Sequence, residues 1–306
     1  MNSNKKAGVV PVPVHRSTAL GQVRAETELD LVAVEEPLQI QVNGEDLAIT
    51  MRTPGHDRDL AAGFLYSEGL LQSPDQIQGI NLDSPGVVSF MLKAGEGPTN
   101  ETAQDIAHDA NSDTDSDTAH DNARRFAVTS SCGVCGRTSI DQLREMTRQR
   151  AQAAYQAGEI SQNSPSVDAL AVQSLPAKLR EAQKIFEHTG GLHAAALFTG
   201  AGDLIAIRED VGRHNAVDKL IGAALLGSLP VQLPLRDCVL MLSGRISFEL
   251  VQKAAMAGIP IIAAVGAPSS LAVETALRFR ITLIGFLRED RFNVYAGAQR
   301  IRGDAS

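Results

Sequence analysis

The chain has 306 residues, 43% of them hydrophobic, with 36 acidic and 28 basic side chains and a formal charge of −8. That length suggests about two domains, and that composition excludes a wholly disordered chain. No apolar run reaches the ~18 residues of a membrane helix, Pro11 and Pro13 interrupt any signal-peptide core, and three cysteines do not make a secreted disulfide scaffold.

The expectation is therefore a cytoplasmic protein with reduced thiols and no membrane partner. An acidic balance also disfavours nucleic acid, which is bound mainly through Lys and Arg on phosphates.

Residues 1–28 show no sustained period and are expected to form a flexible arm. An N-terminal β-hairpin and helix region follows over 29–93. Leu38, Ile40 and Val42 alternate, Asn43-Gly44 is a hairpin dipeptide, and Leu47, Ile49 and Met51 alternate after it. Thr53-Pro54 reads as a helix start, with Thr53 as cap and Asp57 and Asp59 near the positive end of the dipole. Gly69 reads as its end, and 86–92 as a strand.

Residues 94–123 hold eight acids and no Lys or Arg, and without them the chain carries 28 acidic and 28 basic side chains. Its Asp, Ser, Thr and Asn richness predicts an acidic disordered insert. A carboxylate-rich calcium loop is the alternative, without the glycine and terminal glutamate of an EF-hand.

Residues 124–302 read as an α/β core with mixed strands. Strand 125–131 leads into helix 139–157. Helix 175–188 precedes strands 192–199 and 204–208, which pair across 200–203. Helix 215–227, strand 237–242, helix 246–257, strand 259–265, helix 268–279 and strand 281–287 follow. Where strands are parallel, their C-terminal ends share one edge, and ligands bind there. The loops 132–138, 209–214, 243–246, 266–268 and 286–291 are predicted to converge on one cleft.

The sharpest local feature is Cys132-Gly133-Val134-Cys135, with Arg137 beside it. A helix N-terminus and a neighbouring cation lower a thiol pKa. Four readings of the pair stay open beside a purely structural one. A zinc knuckle needs two more ligands, and the third cysteine, Cys238, lies in an apolar strand. A thioredoxin-type pair normally opens a βαβ domain. A deaminase zinc site needs H-x-E and P-C-x-x-C, and here Ser131 precedes Cys132. A sulfur-carrying thiolate needs one exposed nucleophile and an acceptor pocket.

Glu209 to His214 crowd charge into one turn after a strand. Asn215 with Asp218 reads as a helix cap, leaving Arg213 and His214 where an anion is favoured. Ser243-Gly244-Arg245 offers small residues and a guanidinium for phosphate. In Phe286-Leu287-Arg288-Glu289-Asp290-Arg291, two arginines suit a diphosphate, and Glu289 or Asp290 can accept from a guanine edge. No standard phosphate-loop motif occurs.

Five ordered stretches together resemble the FdhD family of formate dehydrogenase accessory sulfurtransferases. They are TPGHDRDLAAGFLYSEGLL (53–71), SSCGVCGRTSI (130–140), EDVGRHNAVDKLIG (209–222), LSGRISFELVQKAAMAGIPIIAAVGAPSSLAVETA (242–276) and GFLREDRFNVYAG (285–297). The resemblance implies a cytidine-deaminase-like core without zinc and no structural metal. It implies persulfide sulfur taken from a cysteine desulfurase onto Cys132, with Cys135 as helper. That sulfur would pass to the molybdenum (or tungsten) bis(molybdopterin guanine dinucleotide) cofactor destined for formate dehydrogenase. The family's cofactor-binding loop falls on Phe286 to Arg291, and Arg213, His214, Ser243 and Arg245 would complete the site.

The alternatives are a non-catalytic chaperone for that cofactor and a deaminase-type zinc enzyme. Apolar elements near the cleft are compatible with a homodimer. Deleting 94–123 should bring the formal charge from −8 to zero and leave the circular dichroism spectrum and melting transition of the rest in place. An unfolded deletion variant would show that the segment contributes structure.

Overall fold

A computed structural model describes residues 8–17, 27–82, 84–93 and 165–303. The acidic insert, strand 125–131, both motif cysteines and helix 139–157 lie outside the described residues.

The first departure from expectation is in the arm. Strand β1 (Val9–Val14) pairs antiparallel with β2 (Glu28–Ala33). Pro11 and Pro13 conceal it in sequence, yet a two-stranded ribbon has an outer edge that tolerates residues without an N–H.

The hairpin forms as predicted. Strand β3 (Glu36–Val42) meets β4 (Glu45–Arg52), and Asn43 and Gly44 take φ of 53° and 86°. Two positive φ angles make the turn that matches strand twist. With β5 (Ile77–Asn81) and β6 (Val87–Leu92), these strands form a sheet of order β4-β3-β6-β5.

Helix α1 runs Asp57–Ser67, later than Thr53-Pro54 suggested. Thr53 is not its cap. His56, at φ 59°, holds that position, because Thr53 is bound elsewhere through its own N–H and carbonyl. Gly69, at φ 77°, does follow the helix end.

The short strand β7 (Val167–Asp168) leads into α2 (Ala169–Ala182) and α3 (Lys184–Thr189). The single helix expected over 175–188 is thus two. Asp168 accepts from Leu170 N at 2.8 Å, which starts the first earlier and places Pro176 inside it.

The largest sheet has order β13-β12-β11-β10-β8-β9. Its strands are β8 (His193–Thr199), β9 (Leu204–Asp210), β10 (Cys238–Leu242), β11 (Ile261–Ala264), β12 (Thr282–Gly285) and β13 (Asn293–Ala296). Three helices connect them: α4 (Arg213–Leu225), α5 (Phe248–Met256) and α6 (Ser270–Arg278). A final strand, β14 (Ile301–Arg302), pairs with β7. The expected mixed α/β architecture is present.

Strands β10, β11 and β12 are parallel, whereas β8 is antiparallel to both β9 and β10. The C-terminal ends of β9 to β12 therefore share one edge with the start of β8.

Both faces of this sheet are covered. Val172, Leu175 and Leu179 of α2 pack with Phe198 and Met241 on one face. On the other, Leu220 and Ile221 of α4 share a cluster with Leu60 and Leu65 of α1 and with Leu38, Ile40 and Phe90 of the four-stranded sheet. The two sheets thus share a core through α1 and α4.

The crossing of α1 and α4 depends on glycine. A Cβ on Gly63 would lie 1.9 Å from the Asp218 carbonyl oxygen, and one on Gly222 would lie 1.8 Å from that of Asp59. Neither obstacle is a flexible side chain, so relief requires the helices to separate. Gly63→Ala and Gly222→Ala should each destabilise the protein by about 2–3 kcal/mol or more, as overpacking does. Urea unfolding reads this directly, and an unchanged midpoint would show that the helices do not approach so closely.

Candidate functional site

Four of the five loops expected to converge do so at the shared strand edge. Ser243 Oγ accepts from Ala194 N at 2.8 Å, and Ser243 N donates to Ala194 O at 3.0 Å. This extends the β8–β10 ladder by one pair and brings Gly244 beside His193. A Cβ on Gly244 would lie 3.2 Å from His193 Nδ1.

The loop after β11 lies against the loop after β10. A Cβ on Gly266 would lie 2.6 Å from Gly244 O and 2.7 Å from Arg245 N. The loop after β12 follows, with Phe286 N donating to Gly266 O at 3.1 Å. Arg288 Nη1 donates to Val265 O at 2.8 Å. Backbone therefore meets backbone along this edge, as the small residues of 243–245 suggested. The loop 132–138, with Cys132 and Cys135, lies outside the described residues.

The EDVGRH turn divides its labour. Glu209 accepts from Ile185 N at 3.0 Å and Phe186 N at 2.9 Å, and so caps α3. Asp210 is fully buried and accepts from Gly212 N, Thr53 N and Asn215 Nδ2. Lys219 Nζ lies 2.7 Å from its Oδ2.

Asn215 is accordingly not the cap of α4, and Asp218 is not its partner. The helix starts two residues earlier, with Gly212 at the N-cap. Asn215 is drawn inside to Met51 O at 2.8 Å, and Asp218 is buried against Lys253 and Ser67.

Arg213 opens α4 at the cleft. Its Nε is buried without a hydrogen-bond partner among the described residues. Neither Arg213 nor Arg245 has a carboxylate partner among them.

His214 is 7% exposed, and its Nε2 lies 3.2 Å from Ser247 Oγ and 3.8 Å from Glu249 Oε2. Burial opposes the charge on Glu249, but the polar side chains of His214 and Ser247 beside it hold its carboxyl down at about 2. This pairing joins the starts of α4 and α5, so His214 builds the wall of the cleft rather than standing open within it.

The 286–291 loop also divides. Leu287 is 0% exposed, and its side chain belongs to the core, not to a ligand surface as expected. Phe286 is 45% exposed, with φ 52°. Glu289, Asp290 and Arg291 are exposed, and the Asp290–Arg291 pair is loose at 3.9 Å. Arg288 N donates to Arg291 O at 2.8 Å, which closes the loop as a turn.

A further titratable group, His193, stands at this edge. It is half-buried at the start of β8. Burial, then the charges of Arg213 and His214, hold its imidazole below the usual histidine range; Asp210 opposes this, and Arg245 adds to it. The sequence offers no local signal, because a lone histidine before an alanine run reads as an ordinary strand start.

Cys238 behaves as the apolar strand predicted. It is buried, and burial with the neighbouring Asp237 charge pushes its thiol up to about 11. Among the described residues, no group of three or more His, Cys, Asp or Glu is arranged to hold a metal ion. None of their helices is long and apolar enough to cross a membrane.

Comparison with known proteins agrees with this architecture. Residues 33–302 match the FdhD/NarQ family. A Streptomyces avermitilis protein named sulfur carrier protein FdhD is 48% identical over 276 residues, which cover 90% of each chain. One of the same name from Sulfolobus acidocaldarius is 42% identical, covering 91% of this chain and 93% of its own. The crystal structure of a candidate formate dehydrogenase accessory protein from Desulfotalea psychrophila superimposes with a TM-score of 0.70 at 22% identity, covering 96% of this chain and all of that one. At that identity the likeness concerns the fold. The family match and the relatives together place the chain in the FdhD/NarQ family.

Proposed function

We propose that this protein is a sulfurtransferase for a guanine dinucleotide cofactor, acting through Cys132. The observation that carries the reading is the cleft at the strand edge. There the charges of Arg213 and the exposed Arg245 act on the half-buried His193, and neither arginine has a carboxylate partner among the described residues. Uncompensated guanidinium groups at a helix start and beside glycine backbone suit the phosphates of an anionic ligand. The name of the relatives, sulfur carrier protein FdhD, supports sulfur as what is carried.

The chemistry is ordinary thiol exchange. Cys132 as thiolate attacks the terminal sulfur of a persulfide on a cysteine desulfurase; the new S–S bond forms on Cys132 and the donor leaves as thiolate. Cys135 as thiolate then attacks the Cys132 sulfur. A Cys132–Cys135 disulfide forms, and the terminal sulfur leaves as hydrosulfide toward the molybdenum of the cofactor. A dithiol reductant restores both thiols before the next cycle. The recipient of the sulfurated cofactor is formate dehydrogenase.

The remainder of the site binds and orients. Arg213 and Arg245 hold phosphates, and Arg288 tethers the 286–291 loop through Val265 O. Phe286 offers an exposed ring for stacking, and Glu289 or Asp290 accepts from a guanine edge. Cys238 takes no part, because a buried thiol with a raised pKa is inert.

Incubation with a desulfurase and cysteine should add about 32 Da, one sulfur, to Cys132, with Cys238 unmodified in the peptide map. Cys132→Ala should reduce formate dehydrogenase maturation to background. A Cys132→Ala protein that still matures the dehydrogenase would leave the chaperone reading in its place.

A further inference from the structure

His193 opens β8 at the strand edge where the described loops meet. Its backbone lies in register with Asp210 of β9 on one side and, through the Ser243–Ala194 pair, with Gly244 on the other. Alternation along β8 puts residue 193 on the same face as Ala195 and Leu197, which pack in the cluster containing α4. The side chain therefore stands under the first turn of α4.

Charged and titratable groups face it from each neighbouring element. Arg213 and His214 come from α4, Asp210 from β9 and Arg245 from the loop after β10. Of these, Asp210 is bound to Lys219, and His214 to Ser247 and Glu249. Arg213 and Arg245 have no such partners among the described residues, and Arg213 Nε is a buried donor without an acceptor. The imidazole thus lies within the electrostatic reach of two guanidinium groups that have no carboxylate partner among the described residues, and a Cβ on residue 244 would crowd it at 3.2 Å.

We propose that His193 is a ligand-binding residue of this cleft, which takes up a proton when a phosphate-bearing ligand enters and donates a hydrogen bond to that ligand as imidazolium. This rests on the reading that the cleft holds a diphosphate.

The sign follows from the neighbours. In the free cleft burial, and then the surrounding cations, disfavour the imidazolium. A bound phosphate neutralises Arg213 and Arg245 and places negative charge beside the ring, which reverses that preference. The pKa of His193 is thus higher in the complex than in the free protein. Binding is accompanied by proton uptake, and affinity rises as pH falls through the bound-state pKa.

The probe must not titrate in the same range. GDP-mannose serves, because its diphosphate is esterified at both ends. Isothermal titration of the full-length protein in two buffers of different ionisation enthalpy counts the protons taken up. A rise of one pKa unit on binding is tenfold in affinity, so about tenfold tighter binding is expected at about pH 5.5 than at about pH 8.5.

His193→Gln should lose both the uptake and the pH dependence near the histidine range. His193→Asn provides a second neutral variant if His193→Gln does not fold. Histidine-labelled NMR of the wild type should show the His193 resonance titrating at higher pH in the complex. Tight binding with no proton uptake, or uptake that survives in a folded His193 variant, overturns the proposal and leaves the diphosphate reading standing. Absence of GDP-mannose binding by wild type at every pH overturns both.

Discussion

A carboxylate sealed from water positions the cleft. Asp210 is 0% exposed, and a buried charge is tolerated only when it is paired and hydrogen-bonded. Four donors meet that demand. Its Oδ1 accepts from Gly212 N at 2.8 Å and Asn215 Nδ2 at 3.0 Å, and its Oδ2 accepts from Thr53 N at 3.2 Å with Lys219 Nζ at 2.7 Å. The donors belong to the chain leaving β4, the turn after β9 and the body of α4. One side chain thus ties the end of the N-terminal sheet to the helix that presents Arg213. Leaving Lys219 buried without this partner would cost about 3–5 kcal/mol, the penalty of an uncompensated buried charge.

Other contacts extend the same tie. Lys219 Nζ also donates to Thr53 O at 2.9 Å, and Asn215 Nδ2 to Met51 O at 2.8 Å. Further along α4, Asp218 accepts from Ser67 Oγ of α1 and Lys253 Nζ of α5, each at 2.9 Å. The glycine crossing of α1 and α4 makes these short polar contacts possible, since bulk at Gly63 or Gly222 would hold the helices apart. The four-stranded sheet is therefore part of the platform under the cleft. Its hydrophobic face and the α4 face are one surface, and a packing defect at Leu38 or Phe90 would be transmitted to Arg213 through α4.

The periodic parts of this fold were legible in the sequence, and the parts set by tertiary contacts were not. The hairpin at Asn43-Gly44 and the strand–loop–helix order after residue 192 follow from local pattern, so the shared strand edge could be anticipated. Caps failed for a definite reason. Thr53 and Asn215 have good capping side chains, but Thr53 Oγ1 accepts from Val211 N, 158 residues away, and Asn215 Nδ2 donates to Met51 O, 164 residues away, and to the nearby Asp210. The same reason separates the residues of one turn: Glu209 and Asp210 serve α3 and α4, while Arg213 has no carboxylate partner among the described residues. Leu287 looked like part of a binding loop because its neighbours are charged, yet the loop needs one apolar anchor in the core. His193 has no sequence signature, since its importance comes from the three elements that surround it.

The formal charge of −8 says little about this cleft. Beyond about 8 Å, charges in physiological salt are largely screened, whereas a donor inside the cleft is weakly screened and strongly dependent on its partner. Arg213 Nε is such a donor, shielded from water and without an acceptor among the described residues. A native fold rarely leaves a buried donor unpaired unless something else completes it. An oxygen of a bound phosphate would supply the missing acceptor and bring the negative charge that Arg245 and the imidazole of His193 favour together. The acidic chain and the cation-lined cleft are therefore not in conflict, because the cleft responds to the few groups within hydrogen-bonding reach.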